Sequence, residues 1–167
     1  DATGFSGSSA NAGWNGTLNE FEGMAGNDTI IGNGSTRLSF SSAREAVSVD
    51  LQAGTAVGGA SVGTDTILGG VNAASGTNFD DVLIGSASSD SLNGLSGNDL
   101  LRGGSGNDFI NGGAGSDRID FDSLLDGWDT IFGFEAVPGG DVIDIADVMQ
   151  NWTSYAGGAG GPLANFV

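Results

Sequence analysis

Five aspartates, Asp81, Asp90, Asp99, Asp108 and Asp117, recur every nine residues. Each follows a glycine-rich run and stands two places before a large apolar residue: Leu83, Leu92, Leu101, Ile110 and Ile119. Carboxylates at a fixed period, separated by residues that turn main-chain oxygens inward, suit the binding of hard cations. Other chemistry is poorly supplied. Without His or Cys the chain lacks the commonest general base, the usual zinc ligands and any disulfide. The stretch Gly-Ala-Ser-Val-Gly at 59–63 matches the G-x-S-x-G nucleophile pattern, yet a Ser-His-acid triad is impossible here and a small-residue turn remains. Asp80 and Asp81 form a carboxylate pair of the kind glycoside hydrolysis uses, but neighbouring strand residues point to opposite faces. The Asn-x-Ser/Thr triplets at Asn15, Asn27, Asn33 and Asn151 reflect a Gly/Ser/Thr/Asn-rich composition. No catalytic residue, and no enzyme, is expected.

The elements that position these aspartates follow from the period. Written as G-G-x-G-x-D-x-U-x with U apolar, five units run without a gap from Gly76 to Asp120. One apolar residue in nine fits no amphipathic helix, and each glycine would cost a helix about 1 kcal/mol. It fits a short strand after each six-residue loop. Such strands must stack, which predicts an all-β chain built as a parallel β-solenoid, or β-roll. With two units per coil, every second loop falls on the same edge, at the inter-strand spacing. Asp81 then lies over Asp99, Asp90 over Asp108, and Asp99 over Asp117. Carboxylates about 5 Å apart at an effective dielectric near 20 repel by roughly 3 kcal/mol. A cation between loops turns that repulsion into attraction, and an oxygen-only donor set selects Ca²⁺.

Composition agrees. Acids outnumber basic residues 21 to 4, with no lysine, for a formal charge of −17, and Asp outnumbers Glu 17 to 4. Nucleic acid is excluded as a partner and cations are favoured. No apolar run is long enough to span a bilayer, so no membrane insertion is expected. The opening Asp1–Gly13 has neither the basic nor the apolar part of a secretory signal.

The units "GLSGNDLLR", "GGSGNDFIN" and "GGAGSDRID" (94–120) closely resemble the RTX (repeats-in-toxin) calcium-binding nonapeptides. "GTNFDDVLI" and "GSASSDSLN" (76–93) keep the first Gly, the Asp and the apolar residue. The resemblance implies a calcium-loaded parallel β-roll in a protein exported by a bacterial type I system. It also implies that each ion takes carbonyls from places one and three plus the Asp of one loop, and carbonyls from places two and four plus the Asp of the loop two units on. Carried over, one site uses Gly76, Asn78 and Asp81 with Leu95, Gly97 and Asp99. A second uses Gly85, Ala87 and Asp90 with Gly104, Gly106 and Asp108. A third uses Gly94, Ser96 and Asp99 with Gly113, Gly115 and Asp117. Asp99 would serve two ions, Asp81 and Asp117 one each. Gly103, Ser105, Gly112 and Ala114 are further carbonyl donors by the same rule, and Asp126, two units after Asp108, would complete a fourth site.

The flanks divide the chain into irregular coils (1–75), the nonapeptide roll (76–120) and a capping segment (121–167). "GNDTIIG" (26–32) and "GTDTILG" (63–69) make Asp28 and Asp65 strand-opening residues and calcium candidates, Asp28 together with Gly23 and Gly26. Alternation at Val47, Val49 and Leu51 predicts one longer strand. Trp128, Phe132, Phe134, Ile143 and Ile145 are expected to cover the last coil, and residues 146–152 to form a short helix.

Two functions fit. One is a calcium-stiffened structural module of a secreted or cell-surface protein, an adhesin, surface-layer protein or extracellular filament, with copies of itself or other surface proteins as partners. The other is the accessory module of a secreted enzyme such as a protease, lipase or alginate epimerase. The irregular leading coils favour the first. Several calcium ions with affinities of about 10⁻⁴ to 10⁻³ M are expected, so that folding awaits the extracellular medium. The start at Asp1 and the end at Val167 suggest a piece of a longer chain with at least one further coil ahead of Asp1.

Overall fold

The computed structural model describes residues 19–22, 25–123 and 126–149. In chain order these form β1 (Asn19–Glu22), β2 (Thr29–Ile30), β3 (Thr36–Ser39), β4 (Val47–Asp50), β5 (Thr55–Gly58), β6 (Thr64–Ile67), β7 (Val71–Ser75), β8 (Val82–Ile84), β9 (Ser91–Ser96), β10 (Leu100–Arg102), β11 (Phe109–Ala114), β12 (Arg118–Asp120), β13 (Thr130–Phe132) and β14 (Val142–Asp144). The chain is nearly all β. One sheet runs β1-β3-β7-β9-β11-β13 and the other β14-β12-β10-β8-β4-β5-β6-β2.

From β7 onward successive strands go to alternate sheets, and each pairs in parallel with the strand two ahead. Ala73 pairs with Ser91 and Ser91 with Phe109. Leu83 pairs with Leu101 and Leu101 with Ile119. One coil is therefore two nonapeptides, an arrangement consistent with a β-roll. Each three-residue strand sends its central residue inward, so the core is two facing columns. Ala74, Leu92 and Ile110 line one, and Val49, Leu83, Leu101 and Ile119 the other, every one of them buried. Burying one such side chain contributes roughly 1.5 to 3 kcal/mol, and each coil adds only two.

The leading half departs from the expected long strand. β4 ends at Asp50, whose Oδ1 accepts from the Ala53 amide at 2.7 Å. Gly54 takes φ 74, and a Cβ there would run into the Ile67 carbonyl. The chain therefore reverses, and β4-β5-β6 are antiparallel neighbours set inside an otherwise parallel sheet. β4 carries the stack on, with Val49 over Leu83.

The trailing end also departs from expectation. Trp128 (88% exposed), Phe132, Phe134, Ile143 and Ile145 do not cover the last coil; they are exposed members of it. β13 stacks on β11, Thr130 against Phe109, and β14 on β12, Val142 against Arg118, so both steps are longer than two repeat units. Ile131 supplies the inward contact, while Phe132 stacks on Phe109 with ring centroids 6.0 Å apart. Residues 146–149 form a single helical turn; the rest of the expected helix, 150–152, lies outside the described residues.

Candidate metal centres

The repeat aspartates form two ladders. Along one edge the amide of Val47 donates to Asp81 Oδ1 (2.7 Å), that of Asp81 to Asp99 Oδ1 (2.7 Å), that of Asp99 to Asp117 Oδ1 (2.9 Å), and that of Asp117 to Asp141 Oδ1 (3.0 Å). Along the other the amide of Asp90 donates to Asp108 Oδ1 and that of Asp108 to Asp129 Oδ1, both at 2.8 Å. One carboxylate oxygen is thus spent on fixing the register between coils.

Two rungs were not expected. A fixed two-unit step looks for Asp126 on one edge and finds no aspartate on the other. The rungs are instead Asp129 and Asp141, because the last steps span 21 and 24 residues where the earlier ones span 18. Asp126 is buried nearby, but its Oδ2 accepts from the Ser123 amide at 3.1 Å and it does not stack on Asp108. The signal was present: "GWDTI" and "GGDVI" repeat the G-x-D-x-U phrase of "GNDFI" and "GSDRI" out of period. Asp117 is consequently an interior rung, not the last.

The second oxygen distinguishes the loops. Asp99, Asp108 and Asp117 are at most 2% exposed, and in each Oδ2 is buried without a hydrogen-bond donor. In the first loop of each edge the protein supplies donors instead. Thr77 gives its amide (2.5 Å) and hydroxyl (3.0 Å) to Asp81, and Ser86 its amide (2.6 Å) and hydroxyl (2.8 Å) to Asp90 Oδ2. These hydroxyl residues stand where later units have glycine or, once, leucine. Asp90 keeps an unpartnered Oδ1.

Glycine shapes the gap around the free oxygens. A Cβ on Gly94, Gly103 or Gly112 would collide with Oδ2 of its own loop's aspartate, and Gly76 and Gly85 stand in the same relation to Asp81 and Asp90. Gly97, Gly106 and Gly115 take φ of 128, 130 and 145, and a Cβ on any of them would meet the carbonyl of Phe79, Ser88 or Gly97 in the loop above. Gly104 and Gly113 likewise press against the carbonyls of Ser86 and Leu95. Leu95 adopts φ 78, the one positive φ of a non-glycine among the described residues. Asn78, Ala87, Ser105 and Ala114 are exposed and Ser96 half-buried, so the third places sit at the rim.

Main-chain oxygens therefore crowd the same gaps as the unpartnered carboxylates. Among the described residues no three His, Cys, Asp or Glu side chains converge as a metal cluster. Any ion here must be completed by the backbone, and such an all-oxygen set fits a hard cation. Electrostatics point the same way. Burial, then the charges of the neighbouring rungs, raises the carboxyl of Asp99 to about 7 and that of Asp108 to about 6. Burial also raises Asp65, Asp81, Asp90, Asp117 and Asp126. The described ion pairs of Arg37, Arg102 and Arg118 go to Glu20, Asp120, Asp122 and Asp144, and none reaches a stacked aspartate.

Asp28 and Asp65 also pair, the Asp28 amide donating to Asp65 Oδ1 at 2.9 Å; Gly23 lies outside the described residues. Ser61 of the G-x-S-x-G stretch gives its amide (2.6 Å) and hydroxyl (2.8 Å) to Glu45, which holds that carboxyl below its usual range and ties the β5–β6 turn to the loop before β4.

No curated protein matches the chain. The family model for the RTX calcium-binding nonapeptide repeat matches it at residues 17–36, 75–110 and 94–123, in 4 copies. Through these repeats, whose glycines and aspartates build the gaps between coils, the chain carries RTX calcium-binding nonapeptides and is a calcium-binding module.

Proposed function

We propose that this module is structural: a β-roll of a secreted or cell-surface bacterial protein that folds outside the cell as Ca²⁺ fills the gaps between its coils. The observation that carries the reading is the set of buried, donorless oxygens on Asp99, Asp108 and Asp117, stacked with no basic side chain among them. The ion between two loops takes the Asp81–Asp99, Asp90–Asp108 and Asp99–Asp117 pairs as carboxylate ligands. Carbonyls of Gly76, Asn78, Gly85, Ala87, Gly94 and Ser96 serve from above, and those of Leu95, Gly97, Gly104, Gly106, Gly113 and Gly115 from below. The longer last coil extends both series to Asp129 and Asp141.

The protein's own part is to hold these oxygens together and dry; the ion supplies the opposing charge. Because the ion binds the folded chain alone, its binding free energy becomes folding free energy. The role is binding, not catalysis, and the leading coils with their inserted hairpin favour a surface or filament protein over an enzyme's accessory module. Circular dichroism during a calcium titration tests the reading. A disordered spectrum in chelator that turns β-rich with a midpoint of about 10⁻⁴ to 10⁻³ M is expected. A full β spectrum in excess chelator at low salt overturns it.

A further inference from the structure

The five repeat aspartates are equally buried, each at most 2% exposed, yet they are not equally open to an ion. Asp81 accepts from the Val47 amide, the Thr77 amide and the Thr77 hydroxyl, and Asp90 accepts twice from Ser86. The same relay stands behind both hydroxyls. The Phe79 amide donates to Thr77 Oγ1 at 2.9 Å and the Ser88 amide to Ser86 Oγ at 3.1 Å, which leaves each hydroxyl proton for the carboxylate. Asp99, Asp108 and Asp117 accept from the amide of the rung above on Oδ1 and leave Oδ2 donorless. The backbone divides the loops in the same way. Leu95 and Gly97, Gly104 and Gly106, Gly113 and Gly115, the second and fourth places of the later loops, all have positive φ, whereas Thr77, Phe79, Ser86 and Ser88 do not. Only at ordinary φ does the second-place amide reach Oδ2. That oxygen faces the gap below, toward the next loop of its edge. A Cβ on Gly76 would crowd both Asp81 Oδ2 and the Gly94 carbonyl, one on Gly85 both Asp90 Oδ2 and the Gly103 carbonyl, and one on Gly94 both Asp99 Oδ2 and the Gly112 carbonyl.

We infer that Thr77 and Ser86 split the array into two classes of gap and so set the order in which calcium fills it. The gaps below Asp99, Asp108 and Asp117 fill first. Those below Asp81 and Asp90 fill last and empty first. In these two the ion must share its carboxylate oxygen with donors that already offset the charge, or displace them, whereas a buried donorless oxygen gives up no partner on binding. One hydrogen bond to a charged group corresponds to about a tenfold change in affinity or more, so the two classes should differ by at least roughly that factor. Thr77 and Ser86 are thus positioning residues that grade the sites without ligating the ion. The inference rests on the reading of the gaps as calcium sites.

Crystals of the full chain grown with saturating calcium and then soaked at stepwise lower free calcium test the order by anomalous scattering. Peaks in the Asp81–Asp99 and Asp90–Asp108 gaps should fade at about tenfold higher free calcium than the peak between Asp99 and Asp117. Equal fading, or earlier loss between Asp99 and Asp117, overturns the inference and leaves the array standing. No peak in any gap overturns the reading of the array together with this one. Thr77→Gly adds an internal control, because it touches one edge alone. Its Asp81–Asp99 peak should now persist as long as the peak between Asp99 and Asp117, while the Asp90–Asp108 peak still fades early, and Thr77→Ser should keep the parent's order. An Asp81–Asp99 peak that fades as early in Thr77→Gly as in the parent overturns the role of Thr77. Should Thr77→Gly fail to fold, the order of fading in the parent crystals decides.

Discussion

At the residue scale, Asp99, Asp108 and Asp117 divide their labour between two oxygens. Oδ1 fixes the register and Oδ2 is left without a donor, so the expected effect of a substitution depends on which loop it falls in. Asp99→Asn and Asp117→Asn should each weaken two ions, since both aspartates have a rung on either side. Asp81→Asn should weaken one. Calcium stoichiometry of the three variants checks this, and a smaller loss for Asp117 than for Asp99 would mean that Asp141 is not a working rung. Leu95→Gly offers a second check. A side chain in the left-handed region costs roughly 1 to 2 kcal/mol, so glycine there should stabilise the calcium-loaded roll by about 1 kcal/mol in thermal unfolding. The period of nine made the first five aspartates legible in the sequence. It hid Asp129 and Asp141, because a fixed count cannot see a loop that lengthens while its G-x-D-x-U phrase is kept. Nor could it show that the hydroxyls of Thr77 and Ser86 engage the first carboxylate of each edge, since that needs the two groups in one place.

At the element scale, each strand is only as strong as its column. Leu101 and Ile110 are 0% exposed and have one inward neighbour above and one below in their own sheet. Truncating either to alanine should cost about 2 to 5 kcal/mol. In a chain whose folding is coupled to calcium, that loss should appear as a higher calcium midpoint by circular dichroism, with the final β signal recovered at saturation. An unshifted midpoint would show that the columns do not contribute to the coupled transition. The parallel coils from β7 to β12 follow directly from the repeat. The reversal at β4-β5-β6 does not, because a hairpin and one longer strand share the same alternation at Val47 and Val49. Only the Asp50 side chain and the positive φ of Gly54 separate them. The exposed aromatic residues of the last coil misled for a related reason: their composition suggests a cover, whereas the pairing of β13 and β14 makes them part of the stack.

At the scale of the whole molecule, the raised carboxyls set a dependence on pH. In the metal-free folded chain Asp99 titrates near 7 and Asp108 near 6, against 3.8 for the unfolded residue. The folded chain therefore holds more protons between about pH 4 and 7. The stability it gains from them is fully present below that window and is lost as pH rises through it. Without calcium, β content should be greater at pH 5 than at pH 8. With calcium, which competes with those protons, the midpoint should fall as pH rises from 5.5 to 7.5. Circular dichroism at several pH values, with and without the ion, measures both, and a pH-independent metal-free spectrum would contradict the assignment. The steps of 18, 21, 24 and 37 residues between stacked aspartates carry a different consequence. Coils are matched by the phrase around each aspartate and not by how much chain lies between, so this roll is indifferent to spacer length at its rim. A guest peptide spliced between Val137 and Gly139, in the exposed loop ahead of Asp141, should be displayed there without loss of calcium affinity. Chelation should then melt its mount, which makes the molecule a reversible scaffold for grafting.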